Sequence, residues 1–310
     1  MEYRTLGKTG LKVSALGFGA SSLGGGVFGP VEESKAIRTV HTALDLGVNL
    51  IDVAPFYGYT RAETVLGKAL RGMPRNRYFL GTKVGRYGDT HFDFSAKRVA
   101  ESVDESLARL ETDYVDFIQA HDNEYGDLDQ IVDETLPALR RIQEQGKARF
   151  VGVTGYPLRI FHSILSRIDV DTVLSYNHYS LNDTTLLQLL PFLESRNVGI
   201  ISACPVSQGL LTNQGTPDWH PAPEIVKRAC AEVAAYCRNH GSDISKLAMQ
   251  FALCNPGIHT VVVGTASPEI IEKDIRWIDE PIDQELLAKV QSMIAGIKDQ
   301  TWIVGRPENN

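Results

Sequence analysis

Short apolar, β-branched runs recur along the chain: Val13–Phe18, Asn49–Asp52, Tyr78–Thr82, Val115–Ala120, Phe150–Thr154, Thr172–Ser175, Gly199–Ala203 and Thr260–Gly264. They do not alternate with polar residues, so they predict strands buried on both faces, as a parallel sheet requires. Between them the period lengthens. Val99, Val103, Leu107 and Leu110 form one stripe behind Ser95, a predicted N-cap, and Val132, Leu136, Leu139 and Ile142 repeat that spacing until Gly146. Further helices are predicted from near Glu32, Arg61, Pro157, Asp183 and Ser267. Two more, Pro223–Asn239 and Asp283–Lys298, exceed strict alternation, and the stretch YRTLGKTGLKVS predicts a hairpin before the first strand of the series.

Strand–helix alternation without a Pro/Ser/Gly-rich linker predicts a (β/α)8 TIM barrel as a single domain over residues 1–310, with an N-terminal hairpin and two extra helices. The competing doubly wound sheet would carry G-x-G-x-x-G directly after its first strand. The glycines of LGFGASSLGGGVFG have the wrong spacing for that.

Composition narrows the classes of function. A net charge of −7 and a pI near 5.6, with the basic residues scattered, argue against nucleic acid and against an anionic membrane surface. The opening residues have no signal-like apolar core, so a cytoplasmic protein is expected. Cys204, Cys230, Cys237 and Cys254 form no C-x-x-C and predict reduced thiols rather than disulfides or a metal site. No partner chain is required by any motif, and a monomer is compatible with the sequence.

In a barrel the chemistry lies at the carboxyl ends of the strands. There the second strand ends on Asp52 with Tyr57 just beyond, the third brings Lys83 to its tip, and the fourth brings His121. Singly, each has a structural explanation: a buried ion pair, a packed tyrosine, a satisfied histidine. Jointly they suit proton transfer at a carbonyl/alcohol pair. An ammonium beside a phenol is expected to lower its pKa, an aspartate keeps that ammonium charged, and a neutral histidine can hold the reacting oxygen. With no metal cluster and no nucleophile–base couple, the hydride is assigned to an organic cofactor.

The stretches LGFG, NLIDVAPFYG, AETVLGKAL, GTKVGRYG, LARLETDYVDFIQAHD, GKARFVGVTGYP and GTASPEIIEKDI resemble the aldo-keto reductase superfamily, and the resemblance covers essentially the whole chain. It implies Asp52, Tyr57, Lys83 and His121 as the catalytic tetrad, with Tyr57 the acid/base. It also implies a nicotinamide cofactor against Gly19, Ala20, Asp52, Thr154, Tyr176, Cys204, Val206, Gln208, Gly264, Thr265, Ser267 and Asp274. Gly264 and Ile270 stand where NADP-preferring members carry basic residues, and Asp274 stands where asparagine is common, which implies NAD. The usual carboxamide grip is altered to Thr154-Gly155 and Tyr176, and Ala203 replaces an aromatic that often stacks on the nicotinamide, with Cys204 beside it.

VLSYNHYSLND, LLTNQGTPDWHPA, ISKLAMQFAL and KDQTW resemble the plant branch that oxidises C1 of L-galactose to its 1,4-lactone in ascorbate biosynthesis. A sugar held by Tyr57, His121, Phe56 and Trp219, with His220 nearby, is the expectation. The alternatives are an L-fucose or D-arabinose dehydrogenase, an NADP-dependent aldehyde or pyridoxal reductase, and a cofactor-sensing channel subunit.

Overall fold

The computed structural model describes residues 1–26 and 29–310, so Val27 and Phe28 of the glycine-rich loop lie outside the described residues. Strands β1 (Tyr3–Thr5) and β2 (Lys12–Ser14) form an antiparallel hairpin. Eight parallel strands follow: β3 (Leu16–Gly19), β4 (Leu50–Asp52), β5 (Phe79–Val84), β6 (Val115–Ala120), β7 (Ala148–Gly155), β8 (Thr172–Tyr176), β9 (Gly199–Ala203) and β10 (Thr260–Gly264). They close into a barrel in chain order, with β10 pairing beside β3.

The run Val13–Phe18 proves to serve two elements. Val13 pairs with Arg4 in the hairpin, and the chain then turns, the Ala15 N–H donating to the Glu2 carbonyl at 2.9 Å, before the barrel strand starts at Leu16. The apolar pattern runs across the break because the hairpin is itself a buried lid. Leu6, Leu11 and Val13 pack with Leu50, Phe117, Leu174, Ile201 and Val262 and close one end of the barrel. Gly7 permits this approach: its φ is +46°, and a Cβ there would lie 2.4 Å from the Gly199 nitrogen.

Around the barrel run α1 (Glu33–Asp45), α2 (Arg61–Leu70), α3 (Ala96–Leu110), α4 (Leu128–Gln130), α5 (Leu136–Glu144), α6 (Leu158–Leu165), α7 (Leu190–Glu194), α8 (Glu224–Asn239), α9 (Ile244–Leu253), α10 (Pro268–Ile278) and α11 (Gln284–Ile294). A π turn, Ile131–Thr135, joins α4 to α5. Ser95 caps α3, its hydroxyl accepting from the Arg98 N–H at 3.3 Å. The helix expected from Asp183 is instead a 3-10 turn, Thr185–Gln188, followed by the five-residue α7. Pro191 in the first turn of α7 cannot donate to a preceding carbonyl, which separates the two pieces. The supernumerary α8 and α11 pack on each other over a second apolar cluster that encloses Cys230 and Cys237. Among the described residues no helix is long and apolar enough to cross a membrane.

Candidate active site

The lidded end leaves the other end of the barrel open for polar groups. Asp52 is the last residue of β4, Lys83 lies near the end of β5, and His121 follows β6, its N–H bonded to the Val84 carbonyl at 2.8 Å. Tyr57 is carried by a turn closed by its N–H to Ala54 O at 3.1 Å and by Ala62 N–H to its own carbonyl at 3.2 Å. That turn is braced by the glycine-rich loop. Gly58 has φ +58°, and a Cβ on it would lie 2.5 Å from the Gly24 carbonyl oxygen.

The four predicted side chains meet. Lys83 Nζ donates to Asp52 Oδ2 at 2.6 Å, to the Val53 carbonyl at 2.9 Å and to the Tyr57 hydroxyl at 3.2 Å. The Tyr57 and His121 rings stand at 88° with centroids 5.6 Å apart, and Phe56 lies 6.1 Å from His121. Asp52, Lys83 and His121 are buried, Lys83 only 1% exposed, while Tyr57 and Phe56 are half-buried. Burial alone would strip Lys83 of its proton, yet Asp52 and Tyr57 reverse this and hold its pKa above the ordinary value. Asp52 itself is raised by burial against the pull of Lys83.

One expectation needs correction. Lys83 does pull the Tyr57 pKa down, but burial is the larger effect, and the phenol is pushed up to about 12. The sequence shows which charges are near; it does not show how much water is excluded. His121 is pushed down to about 3, by burial first, so its imidazole is neutral.

The loop after β6 adds groups that strand-end reasoning missed. Asp122 follows His121 in a left-handed conformation, φ +49°, with its Oδ1 3.6 Å from His121 Nε2. Arg86 pairs with Asp122 and lies 3.8 Å over the Phe56 ring. Asn123 donates to the Ala120 and Thr154 carbonyls at 2.8 and 2.6 Å. Glu124 is fully buried and accepts from the Tyr176 hydroxyl at 2.8 Å. Its carboxyl is pushed up to about 8 by burial and then by Asp122. The signal was present in HDNEYG, four polar residues in a row after an apolar strand.

The residues expected at a cofactor fall along the same rim. Gly19 pairs with Gly264 where β3 meets β10, and a Cβ on Gly264 would stand 3.0 Å from the Gly19 carbonyl oxygen, so backbone is open there to close approach. Ala20 is buried behind Gly19, while Thr265 Oγ1 accepts from the Ser267 N–H at 3.1 Å ahead of α10. Ser267 makes no side-chain cap to α10; its carbonyl instead accepts from the Ile270 and Ile271 N–H groups at 3.2 and 3.1 Å, and Pro268 at the helix start has no N–H to offer. Beyond β8 and β9, Asn177 donates to Gln208 at 2.9 Å, and the buried Asn177 Oδ1 and Ser207 Oγ have no partner among the described residues. Val206 packs on the core beside them. This set of strand-end glycines and orphaned polar atoms suits an extended polar cofactor.

Two expected contacts are otherwise engaged. Thr154 Oγ1 accepts from the Asp122 N–H at 2.9 Å, and the Tyr176 hydroxyl is held by Glu124. Cys204 sits at φ +65° with its thiol pushed up to about 12 by burial, which disfavours the nucleophilic thiolate. Trp219 is 43% exposed and stacks on His220, whose ring meets Trp302 edge-on, so its described partners are outside the tetrad. Among the described residues no three His, Cys, Asp or Glu side chains assemble as metal ligands.

The aldo/keto reductase family model matches residues 15–295. An L-galactose dehydrogenase of Arabidopsis thaliana is 49% identical over 318 residues, covering 100% of this chain and 99% of that protein. A D-arabinose 1-dehydrogenase of Saccharomyces cerevisiae is 32% identical, covering 73% of this chain and 71% of that protein. Among solved structures, the holo form of the aldo-keto reductase AKR11C1 from Bacillus halodurans superposes with a TM-score of 0.81 at 27% identity, covering 97% and 98% of the two chains.

Proposed function

Because the chain belongs to the aldo/keto reductase family and is an oxidoreductase of that kind, we propose that it oxidises L-galactose at C1 to L-galactono-1,4-lactone with NAD. The observation that carries this reading is the Lys83 ammonium bridging Asp52 and the Tyr57 hydroxyl beside a neutral His121.

In this proposal Tyr57 takes the proton of the anomeric hydroxyl as C1 gives up hydride, and the two losses together convert the hemiacetal to the lactone. Lys83, 3.2 Å away, stabilises the phenolate that must form first. Asp52 keeps Lys83 charged and aimed. His121, neutral, hydrogen-bonds the reacting oxygen without competing for the proton. NAD would supply the hydride acceptor and, when oxidised, a positive charge at the rim that favours the phenolate. A phenol with a pKa near 12 makes the oxidation rate rise with pH through the neutral range, because its ionised fraction grows as pH approaches that value.

Gly19, Gly264, Thr265, Ser267 and the Val206–Gln208 turn would hold the cofactor. NAD rather than NADP is supported by Ile270, 40% exposed where an arginine would grip a phosphate, and by Lys273, drawn 4.3 Å over the Trp277 ring. Glu269 adds a charge that the sequence reading passed over. Its carboxyl is held down to about 2 by the Ser267 hydroxyl, its own N–H and Lys35, and it would repel a 2′-phosphate. Asp274 contributes less than its residue type suggests, since burial pushes it up to about 7.

The test is the initial rate of reduced-cofactor formation from L-galactose with NAD and NADP in parallel, using Tyr57→Phe as the comparison. NAD-preferring turnover that falls about a thousandfold in the variant is expected. Turnover favouring NADP would overturn the cofactor assignment, and faster oxidation of D-arabinose or L-fucose would overturn the sugar.

A further inference from the structure

Outside the tetrad, a cavity of about 380 Å³ opens between the start of α6, the Thr185–Gln188 turn and residues 301–310. Tyr156, Pro157, Leu158, Trp302 and Ile303 supply its apolar wall, and His178 lies in the polar part. His178 is 3% exposed, so its ring is committed to this place. The Tyr156 ring packs against it at 4.5 Å between centroids and stacks on Trp302 at 5.4 Å on a 25° tilt.

The hydrogen bonds around His178 determine where its proton lies. The Thr185 hydroxyl donates to Asp183 Oδ1 at 2.6 Å, which leaves Thr185 Oγ1 an acceptor toward His178 Nδ1, 2.7 Å away. Asp183 Oδ2 also lies 3.3 Å from Nδ1. Both neighbours accept, so Nδ1 carries the hydrogen, and in the neutral ring Nε2 is a bare lone pair. Nε2 is buried and has no partner among the described residues. A buried acceptor left unpaired costs free energy that a ligand with one donor would recover.

We propose that this cavity binds a small neutral phenol-like ring, its hydroxyl donating to His178 Nε2 and its apolar body against Tyr156, Leu158 and Trp302. An anion would meet the Nε2 lone pair. A cation would meet Arg159, the charged side chain of the lining, which already donates to the Asn310 carbonyl at 2.6 Å. A sugar would set several hydroxyls against the apolar wall of Tyr156, Leu158 and Trp302, where those facing the rings would lose their water without replacement. The site is separate in chain position from the tetrad: it is built after β7 and β8 and from residues 301–310, whereas Asp52 and Lys83 end β4 and β5 and Tyr57 and His121 follow β4 and β6. It therefore does not rest on the sugar-oxidation reading.

The experiment is calorimetric titration of the full chain with phenol, toluene and L-galactose, repeated on His178→Phe and Tyr57→Phe. Phenol is expected to bind saturably at one site and roughly fivefold more tightly than toluene, the value of one neutral hydrogen bond. His178→Phe keeps a ring against Tyr156 and is expected to erase that preference, while Tyr57→Phe retains it. Leu158→Trp, which fills the cavity from a half-buried position, is expected to remove phenol binding, and the His178 Nε2 nitrogen resonance of the unmodified chain is expected to move on phenol addition. Equal affinity for phenol and toluene, a preference that survives His178→Phe, loss of phenol binding in Tyr57→Phe, or an unmoved Nε2 signal would each overturn the proposal. Tighter, His178-dependent binding of L-galactose would overturn the ligand class.

Discussion

A buried carboxyl on β6 and another on the loop that follows it lie toward opposite ends of the barrel, and the two are treated in opposite ways. Asp116, near the lidded end and 1% exposed, has both oxygens filled: Oδ2 takes the Leu80 N–H at 2.9 Å and Arg75 at 2.5 Å, and Oδ1 takes Arg149 at 2.7 Å. Glu124, at the open end, takes one hydroxyl on Oε1, while its buried Oε2 has no partner among the described residues. Two guanidinium groups and an amide offset the cost of burying Asp116. No guanidinium pairs with Glu124 among the described residues, and its pKa rises until the carboxyl is mostly protonated at neutral pH. Where buried polar atoms are fully bonded the barrel gains rigidity; where they are left short, it keeps capacity to bind or exchange protons.

The contrast can be broken most forcefully at the satisfied end. Asp116→Ala leaves Arg75, Arg149 and the Leu80 N–H without their acceptor, and a loss of about 3–5 kcal/mol in unfolding free energy by denaturant titration is expected. Turnover per folded molecule should be retained. If Asp116→Ala unfolds at the same denaturant concentration as the unmodified chain, the satisfied network is not a source of stability.

The Glu124→Gln substitution acts on the other end and through pH. With the folded pKa near 8 and the unfolded one in the ordinary carboxylate range, the folded state binds more protons between those limits. Stability from this group is therefore complete below the unfolded pKa and is lost as pH rises through about 8. The unmodified chain should lose Tm from about pH 5 to about pH 9 more steeply than Glu124→Gln, and parallel curves would show that Glu124 is ionised throughout. The smallest effect is expected from Gly155→Ala. Its new Cβ would lie 2.3 Å from Ile160 Cδ1 and 2.8 Å from Glu124 Oε2, and about 1–3 kcal/mol of overpacking should appear with a shifted Glu124 titration.

These carboxyls also mark how far the sequence could be read. Asp52, Tyr57, Lys83 and His121 were legible because apolar runs end on them and a barrel gathers its strand ends at one rim. The barrel itself was legible from the alternation of strand and helix periods. Asp122 and Glu124 showed only as part of a polar run, without their placement, since they lie in a loop, and loop geometry depends on what packs over it. The direction of the Tyr57 shift was hidden for a related reason: charge is written in residue types, whereas exclusion of water belongs to the assembled rim. Likewise Val13 and Leu16 look alike in sequence, because the hairpin and the barrel strand bury the same kind of surface.

Residues beyond α11 complete that rim. The Arg306 N–H donates to the Glu124 carbonyl at 2.9 Å, and Asn309 Nδ2 reaches the carbonyls of Glu124 and Gly126 at 2.9 and 3.0 Å. Gly305 allows the approach, for a Cβ there would stand 2.4 Å from the Glu124 carbonyl oxygen. During synthesis this segment emerges well after β6 and after β10, the strand that closes the barrel against β3. The loop bearing Glu124 must thus wait on the ribosome, already translated, for partners some 180 residues downstream. Premature termination of translation between β10 and Gly305 would yield a chain with all its barrel strands whose rim had never been clasped.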